Sequence, residues 1–167
     1  ATLVVLGALA AVAVRPGAAR VAAFLFVFGV WDLVYYAALR VFMDWPPRLG
    51  SWDLLFLLPV RWMGPVWAPA LVAAVMVAVG GRTLLQLQRG GRFEVRRRQI
   101  VAALAGAACI VTSFVVPART VPPGARYAVE WLLAGLVLGL AGTADAWRSN
   151  RLGLTPAGSS SAGAPTS

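Results

Sequence analysis

Residues 24–71 read FLFVFGVWDLVYYAALRVFMDWPPRLGSWDLLFLLPVRWMGPVWAPAL, from Phe24 to Leu71, and hold most of the aromatic residues and half of the acidic ones. The stretch opens inside an apolar run, Val21–Met43, which at helical rise is about 34 Å long and covers roughly 30 Å of hydrocarbon. Two consecutive prolines, Pro46 and Pro47, then forbid a helix. Ser51 reads as the N-cap of a short helix over 51–58 that Pro59 stops, too short to cross a bilayer and suited to its interface. Pro65 and Pro69 suit the first turn of the next span.

Working outward, the whole chain has the same character. It has 167 residues, is 60% hydrophobic and has a mean hydropathy of +0.77, well above the roughly 45–50% apolar content of soluble domains. Runs such as Leu71–Val79 show no alternation, so a spanning barrel is excluded and helices are expected. Spans are predicted near 1–14, 21–43, 65–87, 99–116 and 127–147, giving an all-α membrane bundle of about five transmembrane helices over 1–147. The external interfacial helix is 51–58, and 148–167 is a flexible tail ending GSSSAGAPTS. The first of these runs is short; with no initiator Met, it is expected to be the remainder of a truncated span. A signal-peptide remnant is the rival, without the basic start and cleavage site it needs.

All of the 15 basic residues are Arg, against 6 acidic residues and no His. The arginines fall between apolar runs and not among exposed aromatics, which argues against nucleic acid as a partner. Arg15, Arg20, Arg82, Arg89, Arg92, Arg96, Arg97, Arg98, Arg148 and Arg151 gather on one side; Arg40, Arg48, Arg61, Arg119 and Arg126 lie on the other. The richer side is expected to be cytoplasmic in a bacterial inner membrane, which puts the 44–64 loop outside and the 82–98 loop and C-terminus inside. Arg92, Arg96, Arg97 and Arg98 suit anionic lipid headgroups. Lone Cys109 and the lack of His leave no cofactor with His or Cys ligation and no metal site; a bound lipid, quinone or pigment fits what remains.

Asp32 lies near the middle of the second span, where an unpaired carboxylate costs about 2.5–3.5 kcal/mol on insertion scales. Tyr36 and Arg40 follow at helical spacing with Tyr35 alongside, so an intramembrane latch of Asp32, Tyr35, Tyr36 and Arg40 is expected. The alternative is a proton or quinone site, with Glu130 as a second deep carboxylate and Arg61 as a further partner for Asp32. Asp145 stands one turn from Arg148. Trp31-Asp32-Leu33 and Trp52-Asp53-Leu54 look alike, and Asp53 reads as a first-turn dipole partner. Trp45, Trp52, Trp62 and Trp67 read as docking or interfacial aromatics. Gly135 and Gly139 form a GxxxG helix-packing pair, with looser small-residue pairs at Ala102/Gly106 and Ala70/Ala74.

The order WD-x2-YY, WP, WD-x2-FL-x-P and W-x-GPV-x-AP over residues 28–69 resembles a motif of uncharacterised bacterial polytopic integral membrane proteins. That resemblance covers about a quarter of the chain and implies location and topology only. With no catalytic set in view, the leading expectation is a non-catalytic accessory subunit of an energy-converting membrane complex, photosynthetic or respiratory, packed against other membrane subunits and anionic lipids. The alternative is a small transporter or membrane enzyme using Asp32, Tyr36, Arg40 and Glu130 around an internal cavity.

Overall fold

The structure is a computed structural model that describes residues 2–13, 17–56, 60–89, 94–120 and 127–151. In chain order these form α1 (Thr2–Ala13), α2 (Ala18–Met43), β1 (Trp52–Phe56), β2 (Trp62–Pro65), α3 (Trp67–Gln88), α4 (Arg97–Thr120) and α5 (Val129–Arg151). Four helices, α2 to α5, are long and apolar enough to cross a membrane. A helix satisfies every backbone hydrogen bond within itself, which hydrocarbon demands, and the mostly helical chain fits a membrane fold. Helix α1, with 12 residues, falls short of a span over its described length and packs on α2. The turn before α2 rests on Gly17, whose φ of 102° lies in the region open to glycine.

The helices pack as two antiparallel pairs. In one, α2 lies on α3; in the other, α4 lies on α5; α2 and α4 make no backbone approach among the described residues. Lipid supplies no hydrophobic drive between spans, so close packing must do that work, and glycine is what permits it. A Cβ on Gly29 of α2 would sit 2.6 Å from the carbonyl oxygen of Ala73, and one on Gly80 of α3 would sit 2.6 Å from that of Ala22. The second pair crosses at Gly106 and Gly135, where an added Cβ would come within 2.7 and 2.6 Å of the other's carbonyl oxygen. Gly139 completes the expected pair differently: its backbone lies against Gly106, while a Cβ of its own would meet nothing within 4 Å.

Where an interfacial helix was expected over 51–58, Trp52–Phe56 form a strand, and the remainder of that expected helix with its Pro59 stop lies outside the described residues. β1 pairs antiparallel with β2, Trp52 opposite Pro65, Asp53 opposite Gly64 and Leu54 opposite Met63, with a register shift between Leu54 and Phe56. A helix of about seven residues is marginal on its own. Pairing with Trp62–Pro65 supplies β1 with interstrand hydrogen bonds that the Ser51 cap and one or two helical turns do not match. The hairpin is tied to the chain before it by Val66 N–H donating to Ser51 O at 2.9 Å and Trp67 N–H to Leu49 O at 3.0 Å. Gly64 lets β2 lie on α4, since a Cβ there would meet the Phe114 ring at 2.8 Å.

Three further boundaries differ from expectation. Pro65 belongs to β2, so α3 begins at Trp67. Helix α4 runs through Pro117 to Thr120 instead of ending at 116; a membrane helix tolerates the missing hydrogen bond where neighbouring side chains serve the freed groups. Helix α5 continues to Arg151, so 148–151 are helical where a tail was expected, and 152–167 lie outside the described residues.

Candidate binding cavity

The gap between the two helix pairs, capped by the β-hairpin, is a cavity of about 630 Å³, within the range typical of small-molecule sites. One wall is the flank of α2 from Phe24 to Tyr36, a length of about 18 Å at helical rise. The others are Pro69, Val72, Ala73 and Met76 of α3, Ile110, Val111 and Phe114 of α4, and Asp53, Leu54, Leu55 and Trp62 of the hairpin. Its polar groups gather toward the hairpin, and its far end, around Phe24, Phe28 and Met76, is apolar.

The α2 wall is a ladder of rings. Phe24 and Phe28 lie 5.8 Å apart, Phe28 and Trp31 6.0 Å, Trp31 and Tyr35 5.7 Å, and Tyr35 meets Tyr36 edge-on at 5.5 Å. Steps of three and four residues put these rings on one side of the helix, at separations that suit offset and tilted pairs. Trp45 closes the ladder against Tyr36 at 6.4 Å.

The expected latch is assembled otherwise. Tyr36, almost fully buried, donates its hydroxyl to Asp53 Oδ2 at 2.8 Å across to the hairpin, not to Asp32 one turn back. The backbone N–H of Leu54 donates to the other oxygen, Asp53 Oδ1, at 2.8 Å. Asp53 therefore sits in a strand as the acceptor that joins hairpin to α2, and its expected role at a helix N-terminus disappears with that helix. Arg40 pairs with Asp44 at 2.9 Å on the surface, not with Asp32. Tyr35 lines the cavity and is exposed at its rim. Glu130 lies exposed in the first turn of α5 and does not line the cavity. Asp32 is left facing the cavity, half-buried, with no hydrogen bond or ion pair to any described residue, Arg61 included. The signal for the Asp32–Asp53 juxtaposition was the repeated Trp-Asp-Leu triplet, which says nothing of distance until the hairpin folds back.

The tryptophans are turned inward. Trp52 and Trp67 pack edge-on against Tyr127 at 6.4 and 5.5 Å, Trp62 lines the cavity, and all three are half-buried. Tyr127 also packs on Phe114 at 5.7 Å and shares a 2.8 Å hydrogen bond with the Ser113 hydroxyl. Burial pushes its phenol up to about 12, with the Ser113 bond pulling the other way. Ala68, Phe114, Leu132 and Leu136 form the core beneath it, and Phe114 is also part of the cavity wall.

At the opposite end, Asp145 is paired with Arg98 of α4 and not with neighbouring Arg148. Arg98 reaches it through Nε at 3.1 Å and Nη2 at 2.8 Å, and buried Gln99 donates to it at 2.7 Å. Asn150 holds Glu94 through both backbone groups, at 2.9 and 3.1 Å. Trp147 donates to buried Thr83 at 3.1 Å beneath the Arg82 guanidinium, 4.5 Å from the ring, and so ties α5 to α3. Arg96 and Arg97 are exposed there beside Arg98, and Arg92 lies outside the described residues. Comparison of the chain with protein-family models, curated proteins and solved structures finds no match in any of the three.

Proposed function

We propose that this is a membrane-embedded binding protein or small transporter that holds an amphipathic molecule in the cavity between its helix pairs. The observation that carries this is Asp32, an ionisable side chain within a span, turned into a cavity and given no partner by the rest of the described chain. Intramembrane carboxylates are expensive and mark ligand or ion pathways where nothing else compensates for them. The gradient from the Asp32, Tyr36 and Asp53 end to the apolar Phe24 and Met76 end matches a headgroup and a tail. Asp53 takes the place first given to Arg40 and Glu130.

The accessory-subunit expectation rested partly on a large external aromatic surface. With Trp52, Trp62 and Trp67 turned toward the bundle, that surface is smaller and the cavity reading is preferred. The arginine asymmetry supports the cavity end facing outward and the Arg98 end inward in a bacterial cytoplasmic membrane. Reporter fusions after Arg98 are then expected to read cytoplasmic and fusions near Ser51 external; the reverse pattern refutes the orientation.

The function is tested by gentle purification, solvent extraction and mass spectrometry of what remains bound. Wild type is expected to retain an amphipathic molecule that Val72→Phe and Val111→Phe, which fill the cavity from opposite walls, do not retain. Equal retention by folded wild type and both filled variants overturns the reading.

A further inference from the structure

We infer that the cavity selects a lipophilic cation, a molecule with one ammonium-like or phosphonium-like centre on an apolar body. This rests on the cavity being a binding site, and adds the charge of what it binds.

The chain carries 15 Arg and a net charge of +9, yet none of the described residues around the cavity is basic. The carboxylates among the described lining residues are Asp32 and Asp53. Asp53 has one hydrogen bond on each oxygen and spare lone pairs on both; Asp32 has none among the described residues. The nearest arginine along α2, Arg40, is engaged by Asp44 and is not part of the cavity lining. Carboxylates between low-dielectric walls focus a negative field, so an anionic amphiphile is repelled and a cationic one is drawn to the polar end.

The second observation is independent of charge. The wall leading from that end is aromatic, with Phe24, Phe28, Trp31 and Tyr35 spaced 5.7 to 6.0 Å apart. Aromatic faces attract a desolvated cation as well as an apolar body, whereas an aliphatic wall of equal size offers only the second. A cation therefore gains from the carboxylates at one end and from whichever ring faces it meets along the wall. A neutral amphiphile gains only the apolar contact and one hydrogen bond.

The test uses the full chain in nanodiscs and three probes: tetraphenylphosphonium, its anionic counterpart tetraphenylborate, and neutral triphenylphosphine oxide. Non-specific attraction to a protein of net charge +9 favours the borate, so it works against the expected result. The phosphonium is expected to bind about tenfold or more tighter than the other two, and Asp32→Asn is expected to weaken it about tenfold while Asp32→Glu keeps most of the affinity. If the neutral probe binds as tightly as the cation and Val72→Phe abolishes both, cation selection is overturned and the cavity reading stands. If no probe binds wild type and extraction recovers no molecule, both fall. Phosphonium binding that survives unchanged in Asp32→Asn and in Asp53→Asn also overturns the inference, since the carboxylates then select nothing.

Discussion

The two ends of the molecule treat a carboxylate inside a helix in opposite ways. At the arginine-rich end Asp145 is gripped by two nitrogens of Arg98 and by the amide of buried Gln99, so its charge joins α4 to α5. At the hairpin end Asp32 has a cavity in front of it and no such grip, and the nearby hydrogen bond of Tyr36 goes to Asp53 instead. The charge that holds helices together is surrounded by donors; the one facing the cavity has none among the described residues. The difference separates the part of the chain that builds the bundle from the part that the bundle presents.

The largest expected effect tests whether the α4–α5 end is the rigid one. Gly135→Leu forces a side chain into the space occupied by the Gly106 carbonyl and Ile110, and is expected to cost about 3 kcal/mol or to prevent assembly. Gly139→Ala, whose Cβ meets nothing, is expected to be neutral. Unfolding midpoints in detergent check both, and equal tolerance at the two glycines breaks the picture of a close crossing at Gly135.

Next in size is the polar clamp. Gln99→Ala removes a buried amide that serves Asp145, Ser149 and the Arg96 N–H, and about 1–2 kcal/mol of stability is expected to go with it. Asp145→Asn is expected to lower the midpoint in the same direction. A variant that leaves the midpoint unmoved removes the contrast between the ends.

A smaller effect is expected at Tyr127, a partnered polar group of the hairpin end. Tyr127→Phe loses the Ser113 bond, worth about 1 kcal/mol at neutral pH. Its folded phenol titrates near 12 against an ordinary 10.0, so folding favours the protonated form. That contribution is complete below pH 10 and is lost as the pH rises from about 10 to about 12. Wild type is therefore expected to lose stability over that window more steeply than Tyr127→Phe; parallel pH profiles refute the burial of this hydroxyl.

The smallest effect sharpens the comparison most. Asp32→Asn is expected to leave the unfolding midpoint within about 0.5 kcal/mol of wild type, or to raise it, because no described partner is lost. A drop as large as that of Gln99→Ala makes Asp32 a structural latch after all and unites the two ends.

The helices were legible in the sequence because hydrocarbon sets their length and composition: Val21–Met43 reads as a span before any tertiary contact is known. The hairpin was not. Trp52–Leu58 fits a capped helical turn taken alone, and the decision for strand is made by a partner, Trp62–Pro65, whose own sequence reads as the entry to a helix. The clue was the pair of aromatic-rich segments separated by Pro59-Val60-Arg61, a spacing that suits a hairpin.

The same limit explains the site. Residue identities alone pointed to helices long and apolar enough to cross a membrane, and to Asp32 as a carboxylate within one of them that needs an explanation. They also pointed to glycine at Gly135, since small residues are what allow close approach in lipid. Tertiary structure alone decided that Tyr36 reaches Asp53, that Arg40 serves Asp44, and that the space before Asp32 stays open. Spacing along one helix shows which side chains share a face, but the hairpin, α3 and α4 approach that face from elsewhere in the chain, and only their folding fixes which polar groups meet and which face the cavity.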